Sequence, residues 1–195
     1  MSVTGTDSLA IADTISGTTV AFTSGGAFDV NAVITGTTSV NMTSAGDTTI
    51  SADVTGGSVA IASSSVTTVA APVSGTTVTI SGGTVNLAST VSGSTSISLT
   101  SSGEMTISAD LTGADLSINS AGLTTTAPIT ASGLLTLNNS GEMSLGAPIS
   151  AGTLDLGSST LELSAELSVS GALGDNGAIN ILADGLLGVA ELSPN

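Results

Sequence analysis

Hydrophobic and polar residues alternate along this chain in short bursts that recur at a nearly constant interval. The stretch Val73–Thr90 carries one full copy of the pattern. In it Val78 and Ile80 alternate with Thr77, Thr79 and Ser81. Gly82 and Gly83 interrupt, and Val85 and Leu87 then alternate with Thr84, Asn86 and Ala88. Period-two alternation broken by glycine predicts two short half-buried strands around a turn. Two such strands cannot bury their apolar faces alone, whereas stacked copies can bury them against one another.

With Val73 taken as an anchor, the anchors are Ile15, Ile34, Val54, Val73, Val91, Leu111, Ile129, Ile149 and Leu167, and the repeats between them run 18 to 20 residues. Each anchor is followed by a first apolar pair, from Val20/Phe22 to Leu154/Leu156, and then by a second, from Phe28/Val30 to Leu161/Leu163. From the end of each second pair to the next anchor is 4 residues every time, and all length variation falls in two gaps of 5 or 6 residues. A disordered Ser/Thr-rich tract has no reason to keep such an offset. The pattern predicts an all-β fold: a parallel β-helix (β-solenoid) of about ten rungs, right-handed by the general preference of parallel crossovers, and without caps.

Further columns agree with this register. The residue after each of the first eight anchors is Ser or Thr, from Ser16 to Ser150, and the next is Gly in six of the eight. Two residues past each second pair stands Ala or, once, Ser89, a position that alternation turns inward at a tight corner. Pro72, Pro128 and Pro148 each precede an anchor, which marks that column as another corner, because proline cannot donate to a ladder. The pattern is read as slipping after Leu163. Leu167/Val169 look like an additional second pair, Leu173 like an anchor, and Ile179/Ile181 and Leu187/Val189 like the pairs that follow. This places a six-residue insertion within Ser164–Ser170, in a single domain over residues 1–195 with one irregular rung near 164–172.

Composition narrows the function classes. Tyr, Trp, Cys, His, Lys and Arg are all absent, and Phe occurs only at positions 22 and 28. A narrow solenoid needs only Val, Ile, Leu and Ala inside, where a compact globule of this size needs larger side chains. The net charge of −15, with no cation against it, excludes nucleic-acid binding, which depends on Lys and Arg at phosphates. No stretch of apolar residues is long enough to insert in a membrane as a helix. Without His, Cys, Lys, Arg or Tyr, only carboxylates and hydroxyls remain for acid, base or nucleophile, so no catalytic residue, cofactor or metal centre is assigned and the chain is not expected to be an enzyme. Asp155 and Glu162 lie on one turn but on different strands. Asp53, Asp110 and Glu166 share the proline column, and Asp47, Glu104 and Glu142 share another outward column. These acids read as a solvated anionic surface, with weak calcium binding by surface carboxylates as the sharper alternative; GGAFD at Gly25–Asp29 matches a calcium-binding nonapeptide only in part.

The repeating unit, in which Ser/Thr-Gly leads into two apolar pairs separated by glycine, resembles the repeats of filamentous-haemagglutinin-like exoproteins. Val91–Asp110 (VSGSTSISLTSSGEMTISAD) and Ile129–Pro148 carry the resemblance best. It implies a right-handed β-helix serving as an adhesive stalk outside bacteria. This chain is far shorter than those proteins and shows no recognisable secretion domain. A second reading rests on the outer face of the first strand, which carries Thr19, Thr23, Ser39, Asn41, Thr43, Ser58, Thr77, Thr79, Ser81, Ser96, Ser98 and Thr100. A charge-free hydroxyl array of this kind could match an ice lattice, although Ala21, Asn41 and Ala60 interrupt the threonine files. The expectation for the whole chain is a structural subunit of an extracellular or cell-surface filament, fibre or sheath. It would have itself as partner and polymerise head to tail through Met1, Val3, Leu9 and Ile11 at one end and Ile179, Ile181, Leu187 and Val189 at the other.

Overall fold

A computed structural model describes residues 1–157, 160–174, 178–181 and 186–193, with side chains described over 1–157 and 164–172. The described residues are all-β, and long strands alternate with short ones. The long-strand series opens on the four-residue β1 (Ser2–Gly5) and continues with β3 (Ile15–Ser24), β5 (Ile34–Ser44), β7 (Val54–Ser63), β9 (Val73–Gly82) and β11 (Val91–Ser101). They continue as β13 (Leu111–Ser120), β15 (Ile129–Asn139), β17 (Ile149–Asp155), β19 (Glu166–Gly174) and β21 (Leu186–Ser193). The short strands are β2 (Leu9–Ile11), β4 (Phe28–Val30), β6 (Thr48–Ile50), β8 (Val66–Val69) and β10 (Thr84–Leu87). They continue as β12 (Glu104–Ile107), β14 (Gly122–Thr125), β16 (Met143–Leu145), β18 (Thr160–Leu163) and β20 (Ala178–Ile181). Odd-numbered strands form one parallel sheet in sequence order, and even-numbered strands form a second. Each rung thus pairs only with the rung before and the rung after it, which is a parallel β-solenoid.

The anchor and the first apolar pair lie on one long strand, not on separate elements. Ladder pairing runs through the corner between them, from Ile15↔Ile34 to Ser24↔Ser44, with a register shift just after the glycine. The same shift recurs at Gly93/Ser96 and Gly113/Leu116. This bulge absorbs the one-residue differences in the gap between anchor and first pair, and those in the second gap fall in the turn before the short strand. The corner needs glycine because backbone crowds it: a Cβ at Gly75 would sit 2.8 Å from the Gly56 carbonyl oxygen and 3.1 Å from that of Thr77. Farther along the rod Ala131, Ala151 and Val169 take the position that glycine holds in earlier rungs.

Those larger residues explain where the sequence reading goes wrong. Leu167 pairs with Ile149, Val169 with Ala151, and Leu173 with Leu154, so Leu167 is an anchor and Leu173 belongs to a first pair. Ile179 and Ile181 pair with Leu161 and Leu163 as a second pair, and Leu187 and Val189 pair with Leu167 and Val169 on an anchor segment. Ser164–Ser170 therefore holds no six-residue insertion, and β19 enters the long-strand sheet in step. Val169 fills a position that is glycine in earlier rungs, and its apolar side chain imitates a second pair.

Inside, the apolar anchor and pair residues whose side chains are described form one continuous column from Ile11 to Val169, with Thr48, Thr67 and Thr125 buried among them. Phe22 and Phe28 fill the first full rung, with ring centroids 5.5 Å apart. Dense burial of branched aliphatics is the main stabilising term, at roughly 1.5–3 kcal/mol for each side chain taken fully from water. The proline corner is explained by the ladder. Val54 N–H donates to the Pro72 carbonyl at 3.0 Å, and Leu111 and Ile129 donate likewise to Pro128 and Pro148 at 3.1 Å. This column contributes its carbonyl, so the N–H that proline lacks is not missed there.

Candidate functional site

The most specific polar chemistry lies at the corner that follows each first pair. Ser24, Ser44, Ser63, Ser101, Ser120 and Asn139 occupy one inward column two residues past that pair, and all but Ser63 are buried. Ser24 Oγ donates to the Ala27 carbonyl at 2.8 Å or to that of Asp7 at 2.9 Å, one rung earlier. Ser44 Oγ faces the Gly26 carbonyl at 2.7 Å and also accepts from Gly46 N–H at 3.2 Å. Ser101 Oγ reaches the carbonyls of Gly83 and Glu104 at 3.0 and 2.9 Å. These hydroxyls satisfy turn backbone that the ladder cannot reach and tie each turn to its neighbour. At Gly82 the serine is missing, and the inward Thr67 substitutes by donating to the Ser81 carbonyl at 2.9 Å. Sequence reasoning missed the column because it assigned polar residues outward. The signal was a Ser/Asn at an even offset from the first pair in nearly every rung.

Carboxylates act on the outside as staples between rungs. Asp47 Oδ1 accepts from Val66 N–H at 3.1 Å, and Asp115 Oδ1 accepts from Leu134 N–H at 2.9 Å. The Ser65 hydroxyl and the Val66 N–H hold the Asp47 carboxyl below its ordinary value of 3.8. Among the described residues no three carboxylates come together as a metal site. Asp155 Oδ1 accepts from Gly157 N–H at 2.9 Å; the side chain of Glu162 lies outside the described residues. Ser24, Ser44 and Ser101 of the corner column are committed to backbone and Ser120 Oγ donates to Asn139 Oδ1 at 3.0 Å, and the chain offers no histidine to activate them.

The hydroxyl residues predicted to share a face do share it. Pairing aligns Thr19, Ser39, Ser58, Thr77 and Ser96 in one file. Ala21, Asn41, Ala60, Thr79 and Ser98 form the next, and Thr23, Thr43, Ala62, Ser81 and Thr100 a third. Beyond β11 the face changes: Asp115, the exposed Leu134 and Asp155 enter the files, and Asn138 Nδ2 donates to Asn119 Oδ1 at 3.0 Å. A shallow groove beside this amide pair is lined by Ser101, Ser102, Asn119, Ser120, Asn138 and Asn139.

The predicted assembly residues lie on the terminal strands. Val3 is on β1, and Leu9 and Ile11 are on β2; among the described residues each of these strands has one ladder neighbour. Met1 is 61% exposed, with its amino group donating to the Thr19 carbonyl at 2.7 Å. Val3 and Leu9 are half-buried against the core, and Ile11 is buried. Ile179 and Ile181 are on β20, and Leu187 and Val189 on β21, the last strand of each sheet; their side chains lie outside the described residues. Comparison with protein-family models, curated proteins and solved structures finds no match for this chain.

Proposed function

We propose that this chain is a structural, non-enzymatic element of an extracellular or cell-surface fibre, extended along its axis by head-to-tail stacking of solenoid ends. The observation that carries the reading is the pairing of the terminal strands. Among the described residues β1 and β2 present one unpaired ladder edge, and β20 and β21 present the opposite one. All strands are parallel, so the donors and acceptors at one end match those at the other, and another rung is what fits there. Such a contact is heterologous and does not close, so it builds fibres rather than a defined oligomer. The same edges suit a second reading, a stalk segment of a filamentous-haemagglutinin-like exoprotein, in which further rungs of one chain fill them.

Size-exclusion chromatography with negative-stain microscopy tests the proposal. Concentration-dependent rods that lengthen by whole subunits support it. A monodisperse monomer at high concentration sinks self-stacking and leaves the stalk segment as the surviving reading.

A further inference from the structure

The turn between β1 and β2 breaks a column that the later rungs keep. Two residues before the short strands, in ladder register, Asp7 stands in line with Gly26, Gly46, Ser65, Gly83, Gly103 and Ala121. Backbone hydrogen bonds tie this column together. Gly26 N–H donates to the Asp7 carbonyl at 2.7 Å, Gly46 N–H to that of Gly26 at 3.1 Å, and Gly103 N–H to that of Gly83 at 2.8 Å. None of those later residues is larger than serine, and none is charged. The other turn of the same rung repeats the exception, because Asp13 stands in line with Ala32, Ala52 and Ala71. Both aspartates are exposed.

The direction of the column shows why small residues recur in it. A Cβ at Gly46 would lie 2.9 Å from the Ala27 nitrogen and the Gly26 carbonyl carbon. At Gly83 it would lie 3.0 Å from the Ser65 carbonyl oxygen, and at Gly103 2.9 Å from that of Gly83. In each case the Cβ is aimed along the rod at backbone of the rung before. Asp7 holds this position on the outermost rung of the described residues, so the same geometry directs its side chain out of the β1–β2 edge.

We propose that the Asp7 carboxylate guards this edge against strand addition and so sets how readily a second copy stacks there; the inference rests on the head-to-tail reading above. A rung added in register brings turn backbone, including carbonyl oxygen, to the place where the carboxylate projects. A carboxylate held against carbonyl oxygen loses its water and gains no donor, and charge at an edge is a general means of keeping strands unpaired. The chain has no Lys, Arg or His, so a second copy brings no side-chain cation to answer the charge. The Met1 amino group is engaged by the Thr19 carbonyl at 2.7 Å. Asp13, in the adjoining turn, adds a second negative charge to the same edge.

Three variants of the full chain test the guard. Asp7→Gly restores the residue that prevails in the column, and Asp7→Asn removes the charge but keeps the bulk. Asp29→Asn, on the exposed outer face of β4, removes the same unit of charge away from the edge. Each is checked for β-structure by circular dichroism and concentrated in steps, and rod length is read by light scattering and negative-stain microscopy. Asp7→Gly should form rods at a concentration on the order of tenfold below that of the parent chain. Asp7→Asn should lie between, and Asp29→Asn should follow the parent. Rods that form equally in the parent and in Asp7→Gly overturn the guard and leave head-to-tail stacking standing. An equal gain from Asp29→Asn also overturns it, because net charge alone would then account for both. Absence of rods from every variant removes the stacking reading and this one with it.

Discussion

Thr48 and Thr67 are adjacent in one inward file, and the same substitution should move stability in opposite directions at the two positions. Both side chains are fully buried, at 1% and 0% exposure. Thr67 Oγ1 donates to the Ser81 carbonyl at 2.9 Å, whereas Thr48 Oγ1 has no partner. Valine has nearly the volume and shape of threonine, so Thr→Val exchanges a hydroxyl for a methyl with little repacking. At Thr48 the exchange removes a buried, unpaired hydroxyl, whose cost is about 1–3 kcal/mol, and adds apolar contact. The expected gain is about 1–2 kcal/mol. At Thr67 it removes a hydrogen bond and leaves one turn carbonyl less well satisfied, for an expected loss of about 0.5–1.5 kcal/mol. Urea unfolding at constant slope reports the difference as midpoint shifts of opposite sign, and melting temperatures should move by about 2–4 °C per kcal/mol. Thr125, likewise buried and unpartnered, should behave as Thr48 does. A loss of stability on Thr48→Val, or shifts of the same sign at both positions, would refute the reasoning.

Ile80→Asp puts a carboxylate into the apolar column and should abolish folding, at a cost of several kcal/mol, while Thr79→Asp one residue away should be nearly silent; circular dichroism and solubility read both. Gly75→Ala drives a Cβ to 2.8 Å from the Gly56 carbonyl oxygen and should cost about 1–3 kcal/mol in chemical denaturation, because the clash is with backbone that other rungs hold in place. The lowered carboxyl of Asp47 contributes stability that is fully present above its ordinary value of 3.8 and is lost as pH falls through the lower folded value. Acid titration of stability should therefore be less steep in Asp47→Asn than in the parent chain, and identical slopes below about pH 4 would refute that linkage.

The strands were legible because apolar alternation is the same signal the solenoid uses to sort residues between column and solvent. The anchors, both pairs and the three outward files all follow from it. The corner serines were not legible, because a buried Ser looks like a surface Ser unless the turn backbone it serves is known. The register after Leu163 was misread for a related reason. Val169 is apolar where Gly17, Gly36 and Gly75 stand in earlier rungs, and alternation alone cannot distinguish a strand pair from an anchor with a filled corner. The candidate surfaces divide in the same way. The hydroxyl files were visible as a list of residues, but their alignment from rung to rung needed the ladder register.

The graded corner, glycine through Gly113 and then Ala131, Ala151 and Val169, means that the rungs are not interchangeable parts. Within the glycine block one rung could be duplicated or removed and its neighbours would still mate. A rung from the alanine end placed where Gly75 now stands would bring a Cβ to 2.8 Å from the Gly56 carbonyl oxygen, closer than a methyl fits. A glycine rung moved the other way would rattle, leaving a void one methyl deep. The rod therefore carries a size gauge along its length, and any lengthening of it by repeat insertion is expected to be tolerated first between Ile15 and Gly113.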